Sequence, residues 1–138
     1  MNASIQSLQQ ELPDLDWVTD PIKVGRLSQD FSWFSPVLKR QLLGKRGDIA
    51  ARPRTEDELR RLASACARLG VPLTPRGSGT GNYGQCVPLH GGVLLDMSGY
   101  NQFLWARPGV GRAQAGIRIG DFDAAARPSG WELRCIPS

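Results

Sequence analysis

The segment from Thr55 to Gly70 constrains the fold most strongly, because it specifies one amphipathic helix with both of its ends. Thr55 and Glu58 have the spacing of a capping box, in which each side chain accepts a hydrogen bond from the other residue's backbone amide. Apolar side chains then recur at helical spacing. They are Leu59, Leu62, Ala63, Cys66 and Leu69. Because Gly70 is the expected left-handed stop, we predict a helix over 56–69 with Cys66 in a core.

Short apolar segments on both sides of this helix predict a βαβ unit. Residues 48–53 are partly apolar and end at a proline, and residues 71–75 contain two prolines that exclude an ordinary central position in a sheet. A continuous apolar run over 93–97 predicts the next, buried strand. Strands joined through a helix pair in parallel. The predicted fold class is therefore α+β, with a small parallel βαβ subdomain.

Around this unit the chain is rich in turns, with 16 glycines and 10 prolines among 138 residues. We predict a helical and loop extension over 1–47 and a partial domain over 48–138. The partial domain divides into a first subdomain, 48–100, and the start of a second α+β subdomain, 101–138.

The extension shows weaker local patterns. A short helix is expected over 4–12, where Pro13 stops it, and the proline-broken segment 14–25 is expected to be a loop. Three aromatic residues within 28–36 predict a buried loop that is anchored by its rings. One or two helical turns are expected over 37–43, before the next glycines.

The second subdomain begins with a predicted hairpin. Its strands would flank an Arg-Pro-Gly turn at 107–109, and a short helix is expected over 121–126. Residues 131–136 are predicted to form a further strand.

Composition excludes several classes of protein. The apolar runs are only a few residues long, far below the roughly 20 that a transmembrane helix needs. The polar first eleven residues lack the apolar centre of a secretory signal. Three widely spaced cysteines and a single histidine give no zinc-site spacing and fit reduced thiols in a cytoplasmic protein.

The positive charge of the chain is confined to its second part. Residues 51–138 carry 11 arginines and 7 acidic residues, whereas residues 1–50 are balanced, which gives the net charge of +4. The arginines are scattered among acidic residues, and no basic stripe alternates with aromatic residues. This pattern does not favour a nucleic-acid partner.

A glycine-rich loop between the second and third predicted strands carries the functional signal. It runs R-G-S-G-T-G-N-Y-G-Q over 76–85 and contains G-x-G-x-x-G. A dinucleotide-binding fingerprint of the Rossmann type requires a helix directly after the loop. Here a proline and a glycine pair over 88–92 prevent that helix, and no Gly-Lys-Ser/Thr follows for a P-loop. The loop can still expose successive backbone amides that bind an anion such as a phosphate or pyrophosphate.

These motifs together resemble the FAD-binding domain of FAD-linked oxidases, the vanillyl-alcohol oxidase and p-cresol methylhydroxylase type. The resemblance is carried by A-R-P and T-E-D-E-L over 51–59, the loop with its preceding strand over 71–85, and G-V-L-L-D-M-S over 92–98. The segment A-Q-A-G at 113–116 resembles the opening of that family's second subdomain. The most similar branch is that of glycolate oxidase and D-lactate dehydrogenase.

The resemblance implies FAD as the cofactor and a part of its binding site. The residues that would line the pyrophosphate are Arg76, Gly77, Ser78, Gly79, Thr80 and Gly81. Those expected further along, toward the flavin, are Asn82, Gly84 and Gln85. Pro137 and Ser138 match the start of a further flavin-contacting stretch. Family members with covalent flavin often place a histidine in this loop, and its absence from residues 78–84 predicts non-covalent binding.

Three functions stay open at this point. The chain is interpreted as a truncated FAD-binding domain, the N-terminal part of an enzyme that oxidises a 2-hydroxy acid or similar alcohol and is inactive by itself. Its sequence shows no catalytic acid, base or metal constellation for that oxidation, and a small-molecule substrate is expected only for a longer form. The alternatives are a non-catalytic nucleotide-binding module and a non-functional remnant.

Overall fold

A four-stranded sheet organises the chain, whose residues 3–135 are described by a computed structural model. The strands are β1 (Trp17–Val18), β2 (Ile49–Ala51), β3 (Leu73–Arg76) and β4 (Val93–Asp96), and a separate hairpin holds β5 (Phe103–Arg107) and β6 (Val110–Ala113). The helices are α1 (Ala3–Glu11), α2 (Pro21–Leu27), α3 (Pro36–Gln41), α4 (Glu56–Leu69) and α5 (Ile119–Ala126). This α+β architecture with a parallel sheet confirms the predicted fold class.

Helix α4 has the predicted bounds, and its cap differs in one detail. The Thr55 hydroxyl accepts the Glu58 amide at 3.2 Å, as predicted, but the Glu58 carboxylate accepts the amide of Arg54 at 2.6 Å rather than that of Thr55. Gly70 ends the helix with φ +63°. Cys66 is buried, as predicted, and its neighbour Ala65 is buried as well.

The three parallel strands follow the order β2, β4, β3, so β4 is central. Ile49 and Leu73 both pair with Val93, and every residue of β4 is buried. Strand β3 is at the edge of the sheet, where Pro75 removes no hydrogen bond that a further strand would need. The βαβ unit is therefore confirmed, with its carboxyl ends along one edge.

The first 47 residues pack onto the same sheet and core. Ile5 and Leu8 of α1 belong to the main apolar core, which includes Leu62 of α4 and Val93 of β4. Strand β1 pairs antiparallel with β2. This segment thus adds a strand and a helix to the sheet that supports the candidate site.

The prediction of a loop over 14–25 is wrong, because β1 and the first part of α2 lie there. Pro21 starts α2 rather than breaking the chain, since a proline in the first turn has no amide that needs an intrahelical partner. Asp20 caps this helix and accepts the amides of Ile22 and Lys23.

The aromatic cluster is also not the buried anchor that was predicted. Residues Phe31–Phe34 form a 3-10 turn in which Trp33 and Phe34 stack at 3.8 Å between ring centroids and are 52% and 67% exposed. The polar residues of this segment are the buried ones, namely Asp30 and Ser32. The following short helix, α3, is confirmed.

The predicted hairpin of β5 and β6 follows β4, and Gly116 brings the chain after it close to Met97, directly behind β4. A Cβ on Gly116 would lie 1.7 Å from the carbonyl oxygen of Met97, so only glycine allows this approach. Helix α5 starts two residues earlier than predicted. Residues 131–135 form no strand, in contrast to the prediction, and the remainder of that segment lies outside the described residues. None of the helices within 3–135 has the length and apolarity to cross a bilayer.

The burial of two cysteines predicts a selective thiol reaction. Burial raises the pKa of the Cys66 thiol to about 11 and also raises the pKa of Cys86, whereas Cys135 is exposed. Because the thiolate is the reactive form, iodoacetamide at pH 8 is expected to label Cys135 alone in the folded chain and all three thiols in urea. Mass spectrometry of the alkylated peptides measures this. Rapid labelling of Cys66 before unfolding would contradict the packing of α4.

Candidate functional site

The glycine-rich loop leaves β3 at the carboxyl edge of the parallel sheet. Arg76 is the last residue of β3 and pairs with Asp96, the last residue of β4, so the loop begins between the ends of two neighbouring strands. Ligands of open parallel sheets bind in the crevice beyond these carboxyl ends. The topology therefore places the loop where a ligand site is expected.

The loop presents a run of free backbone donors. Among the described residues, the five consecutive amides from Ser78 to Asn82 have no hydrogen-bond acceptor. Gly79 has φ +70°, a left-handed conformation that lets successive amides converge on one anion. The side chains of Ser78, Thr80 and Asn82 are exposed beside these amides. This donor set fits the oxygen atoms of a pyrophosphate, so the residues present suit an FAD cofactor.

The Arg76 side chain connects the loop to the N-terminal segment. Its guanidinium donates to the carbonyl oxygens of Leu27 at 2.7 Å and Gln29 at 2.5 Å, and lies 3.4 Å from the Cys86 sulfur. It also lies directly against Gly79, where an added Cβ would be 2.0 Å from a guanidinium nitrogen. Arg76 therefore brings a positive charge next to Gly79, while one of its guanidinium nitrogens donates to protein carbonyls.

Gln85 folds back over the same loop. Its side-chain oxygen accepts the amide of Tyr83 at 3.1 Å and covers Gly81, where an added Cβ would be 2.4 Å from that oxygen. Gly84 has φ +79° and faces Leu42 of the N-terminal segment. Pro137 and Ser138 lie outside the described residues, so their role stays a prediction.

Sequence reasoning missed the residues that contact this loop from the N-terminal segment. The Asp30 carboxylate accepts the amide of Gly84 at 2.8 Å, and the amide of Phe31 donates to the Gly81 carbonyl at 2.8 Å. The short pattern Asp-x-Ser at 30–32 is typical of a side chain that caps a turn, and Asp30 does cap Ser32. No local pattern, however, indicates a partner 54 positions away.

A cleft of about 440 Å³ lies beside the start of the loop. Its lining is mostly polar. Gly77 and Ser78 of the loop line it together with Arg118 and Asp121, at and near the start of α5. The floor holds an ion pair between Arg52 and the buried Asp96, with a nitrogen–oxygen distance of 2.8 Å.

The Asp96 carboxylate is stabilised in its charged form. Burial alone would raise its pKa, but hydrogen bonds from Ser98 and the Arg52 guanidinium outweigh burial, so the pKa lies below its ordinary value of 3.8. A carboxyl whose pKa falls on folding stabilises the fold above its unfolded pKa, and this contribution is lost as the pH falls through the folded pKa.

Asp96→Asn is therefore expected to lower the free energy of unfolding by about 2 kcal/mol at pH 7, since a charge-assisted hydrogen bond is lost. The difference from the parent chain should shrink below pH 4. Urea unfolding at pH 7 and pH 3 measures both. Asp121→Asn, on an exposed side chain of the same cleft, is the matched control. An equal loss at both pH values would show that Asp96 does not stabilise the fold through its charge.

Other chemistry-bearing residues do not join this site. His90 is exposed and follows the loop. Within residues 3–135, no cluster of three or more histidine, cysteine, aspartate or glutamate side chains could hold a metal ion.

Comparison with known proteins agrees with this geometry. A family model described as an FAD binding domain matches residues 48–138. An uncharacterized FAD-linked oxidoreductase of Mycobacterium tuberculosis is 36% identical over 90 residues, which cover 64% of this chain and 20% of that protein. Glycolate oxidase subunit GlcD of Escherichia coli is 39% identical over 79 residues, or 55% of this chain and 16% of that protein. The chain thus matches about a fifth or less of the length of these relatives.

Solved structures share the fold over nearly the whole chain. Alkyldihydroxyacetonephosphate synthase superposes with a TM-score of 0.79 at 21% identity, over 97% of this chain and 26% of its own. The 4-ethylphenol oxidase of Gulosibacter chungangensis gives a TM-score of 0.74 at 19% identity, over 98% of this chain and 26% of its own. These structures show the fold, and the family match over residues 48–138 shows that the chain belongs to the family of FAD binding domains.

Proposed function

We propose that the glycine-rich loop binds the pyrophosphate of FAD, and that it does so non-covalently. The observation that carries the proposal is the run of free amides from Ser78 to Asn82 around the left-handed Gly79. Backbone amides can bind phosphate oxygens directly, and no positively charged side chain needs to contact the phosphate. In this arrangement the residues from Arg76 to Gly81 line the pyrophosphate, and Asn82, Gly84 and Gln85 lie toward the flavin.

Arg76 contributes to this site through its charge. Its guanidinium lies against Gly79, and because the two carbonyls that it binds are neutral, its positive charge is not cancelled. Opposite charges attract each other more strongly where protein replaces part of the surrounding water, because the effective dielectric constant is lower there. Arg76 therefore stabilises an anion held by the loop amides above it.

The substrate class follows from the relatives and is also a proposal. The GlcD relatives are named as subunits of glycolate oxidase, and glycolate is a 2-hydroxy acid. Bound FAD would supply the hydride acceptor for oxidation of such a substrate. The described residues position the cofactor, and we expect the chain by itself to bind FAD without oxidising a 2-hydroxy acid.

A comparison of three flavins tests the cofactor proposal. Fluorescence titration of the purified chain is expected to show tighter binding of FAD than of FMN or riboflavin, because only FAD carries a pyrophosphate. Acid precipitation should then release all flavin into the supernatant. Equal affinity for FAD and riboflavin would contradict the role of the loop, and flavin retained in the acid pellet would contradict non-covalent binding.

An assay with glycolate and a dye acceptor tests the expectation that this chain by itself does not oxidise a 2-hydroxy acid. The expected result is flavin binding without dye reduction. Turnover by this chain would contradict the view that the substrate site requires other residues.

A further inference from the structure

We propose that residues 27–31, which we name the N-terminal brace, hold the glycine-rich loop in its cofactor-binding geometry, with Asp30 as the main positioning residue. The inference rests on the proposed binding of FAD by this loop. It extends the cofactor site to a segment that precedes the matched family region, which begins at residue 48.

The brace contacts the loop at three separated points. At the start of the loop, Arg76 donates to the carbonyls of Leu27 and Gln29 at 2.7 and 2.5 Å. In the middle, the Phe31 amide donates to the Gly81 carbonyl at 2.8 Å. At the far end, Asp30 accepts the Gly84 amide at 2.8 Å. The free amides of Ser78 to Asn82 lie between the first and last of these contacts.

Asp30 is fixed on both of its carboxylate oxygens. One oxygen accepts the amide of Ser32 at 2.9 Å, and the other accepts the amide of Gly84. The residue is only 6% exposed. A buried carboxylate with both oxygens paired has little freedom to rotate, so it fixes the position of Gly84 relative to the brace.

The brace is itself tied to the sheet. The Ser28 hydroxyl donates to the Val24 carbonyl at 2.8 Å and accepts the Gly47 amide at 3.0 Å. Val24 of α2 packs against Ala50 of β2 and Leu94 of β4. The contacts therefore run without a break from the central strand through α2 and the brace to the loop.

A loop with this composition needs such support. Glycine loses more conformational freedom than any other residue when it is ordered. Four glycines within 77–84 would make an isolated loop costly to order on ligand binding. A loop that the brace orders beforehand binds its ligand more tightly, because that cost is met during folding.

Asp30→Ala in the purified chain tests the role of the carboxylate. It is expected to weaken FAD binding by about tenfold or more, which corresponds to the loss of one charge-assisted hydrogen bond. Asp20→Ala is the matched control, because Asp20 also caps a helical turn of the N-terminal segment but has no contact with the loop. Both variants lose a cap, and Asp30→Ala also loses the buried bond to Gly84, so its melting temperature should fall further than that of Asp20→Ala; only Asp30→Ala should lose FAD affinity.

A pair of variants at position 31 tests the brace without touching Asp30. Phe31→Pro removes the amide that donates to Gly81, and proline suits the first residue of a helical turn that follows the extended Asp30 (φ −121°). Phe31→Ala removes the ring and keeps the amide. The proline variant is expected to bind FAD about fivefold or more weakly than the alanine variant, as the loss of a neutral hydrogen bond implies.

Hydrogen exchange without flavin separates this inference from the proposed function. In Asp30→Ala, the amide of Gly84 is expected to exchange faster than in the parent chain, while the amides of α4 keep their protection. Failure of the parent chain to bind FAD would contradict the proposed function but not this exchange result. Unchanged exchange at Gly84, or FAD affinities equal to the parent in both Asp30→Ala and Phe31→Pro, would overturn the brace.

Discussion

Replacing Gly79 with valine is expected to abolish measurable FAD binding while the chain stays folded. Gly79 has φ +70°, and a β-branched residue there strains the backbone by about 2 kcal/mol. The new Cβ would also lie 2.0 Å from the guanidinium of Arg76, which two carbonyls hold in place. Either the loop moves, and the convergence of the free amides is lost, or Arg76 moves, and its positive charge leaves the loop. Fluorescence titration with FAD measures the effect.

Gly109→Val is the matched control for backbone strain. Gly109 has φ +78° in the turn between β5 and β6, with open space around its Cα, so the substitution imposes the same strain away from the loop. We expect this variant to bind FAD with the affinity of the parent chain. Parent-like binding by Gly79→Val would show that the loop does not hold the cofactor.

The largest loss of stability is expected for Gly92→Ala. Gly92 has φ +75° directly before β4, and an added Cβ would lie 2.1 Å from the carbonyl oxygen of Pro72. That carbonyl accepts the amide of Val93 at 2.8 Å, so it cannot move without breaking the start of the parallel pairing between β3 and β4. We expect a loss of about 3 kcal/mol or more, which lowers the melting temperature by roughly 10 °C.

Alanine substitutions at two further glycines distinguish backbone strain from steric contact as the cause of that loss. Gly70→Ala has a similar φ of +63° but open space, so it should cost only about 1 kcal/mol. Gly25→Ala lies within α2 with open space and a helical backbone, and should stabilise the chain by about 0.5 kcal/mol. Thermal unfolding followed by circular dichroism measures the stability of all three variants. If Gly92→Ala cost no more than Gly70→Ala, the close approach of Gly92 to Pro72 would be wrong.

The elements that the sequence predicts correctly are those whose signals come from neighbouring residues. Helix α4 carries its own cap, apolar face and stop, so its bounds of 56–69 follow from neighbouring residues alone. The buried β4 and the edge position of β3 follow from the apolar run and from Pro75 in the same way. The family resemblance rested on these local motifs, and the matched region of 48–138 confirmed it.

Contacts between distant segments were not predictable in this way. The aromatic residues at 31–34 suggested burial, whereas the buried group is the neighbouring carboxylate of Asp30, whose partner Gly84 is 54 positions further along the chain. Pro21 by itself predicts a break in the chain, but with Asp20 before it the same residue starts α2. Arg76 stays predicted at the pyrophosphate, but no local pattern indicated that one of its guanidinium nitrogens would donate to the carbonyls of residues 27 and 29. In each case a long-range contact or a cap decided the structure.

Amide chemical shifts during a titration with FAD test the central claim most directly, since they report each donor of the loop separately. We expect the amide resonances of Ser78 to Asn82 to shift on addition of FAD, whereas that of Gly109 should not shift. Riboflavin, which lacks phosphate, should leave the Ser78 to Gly81 amides unchanged. Saturable FAD binding that shifts residues elsewhere and leaves these amides unmoved would contradict the assignment of the glycine-rich loop as the pyrophosphate site.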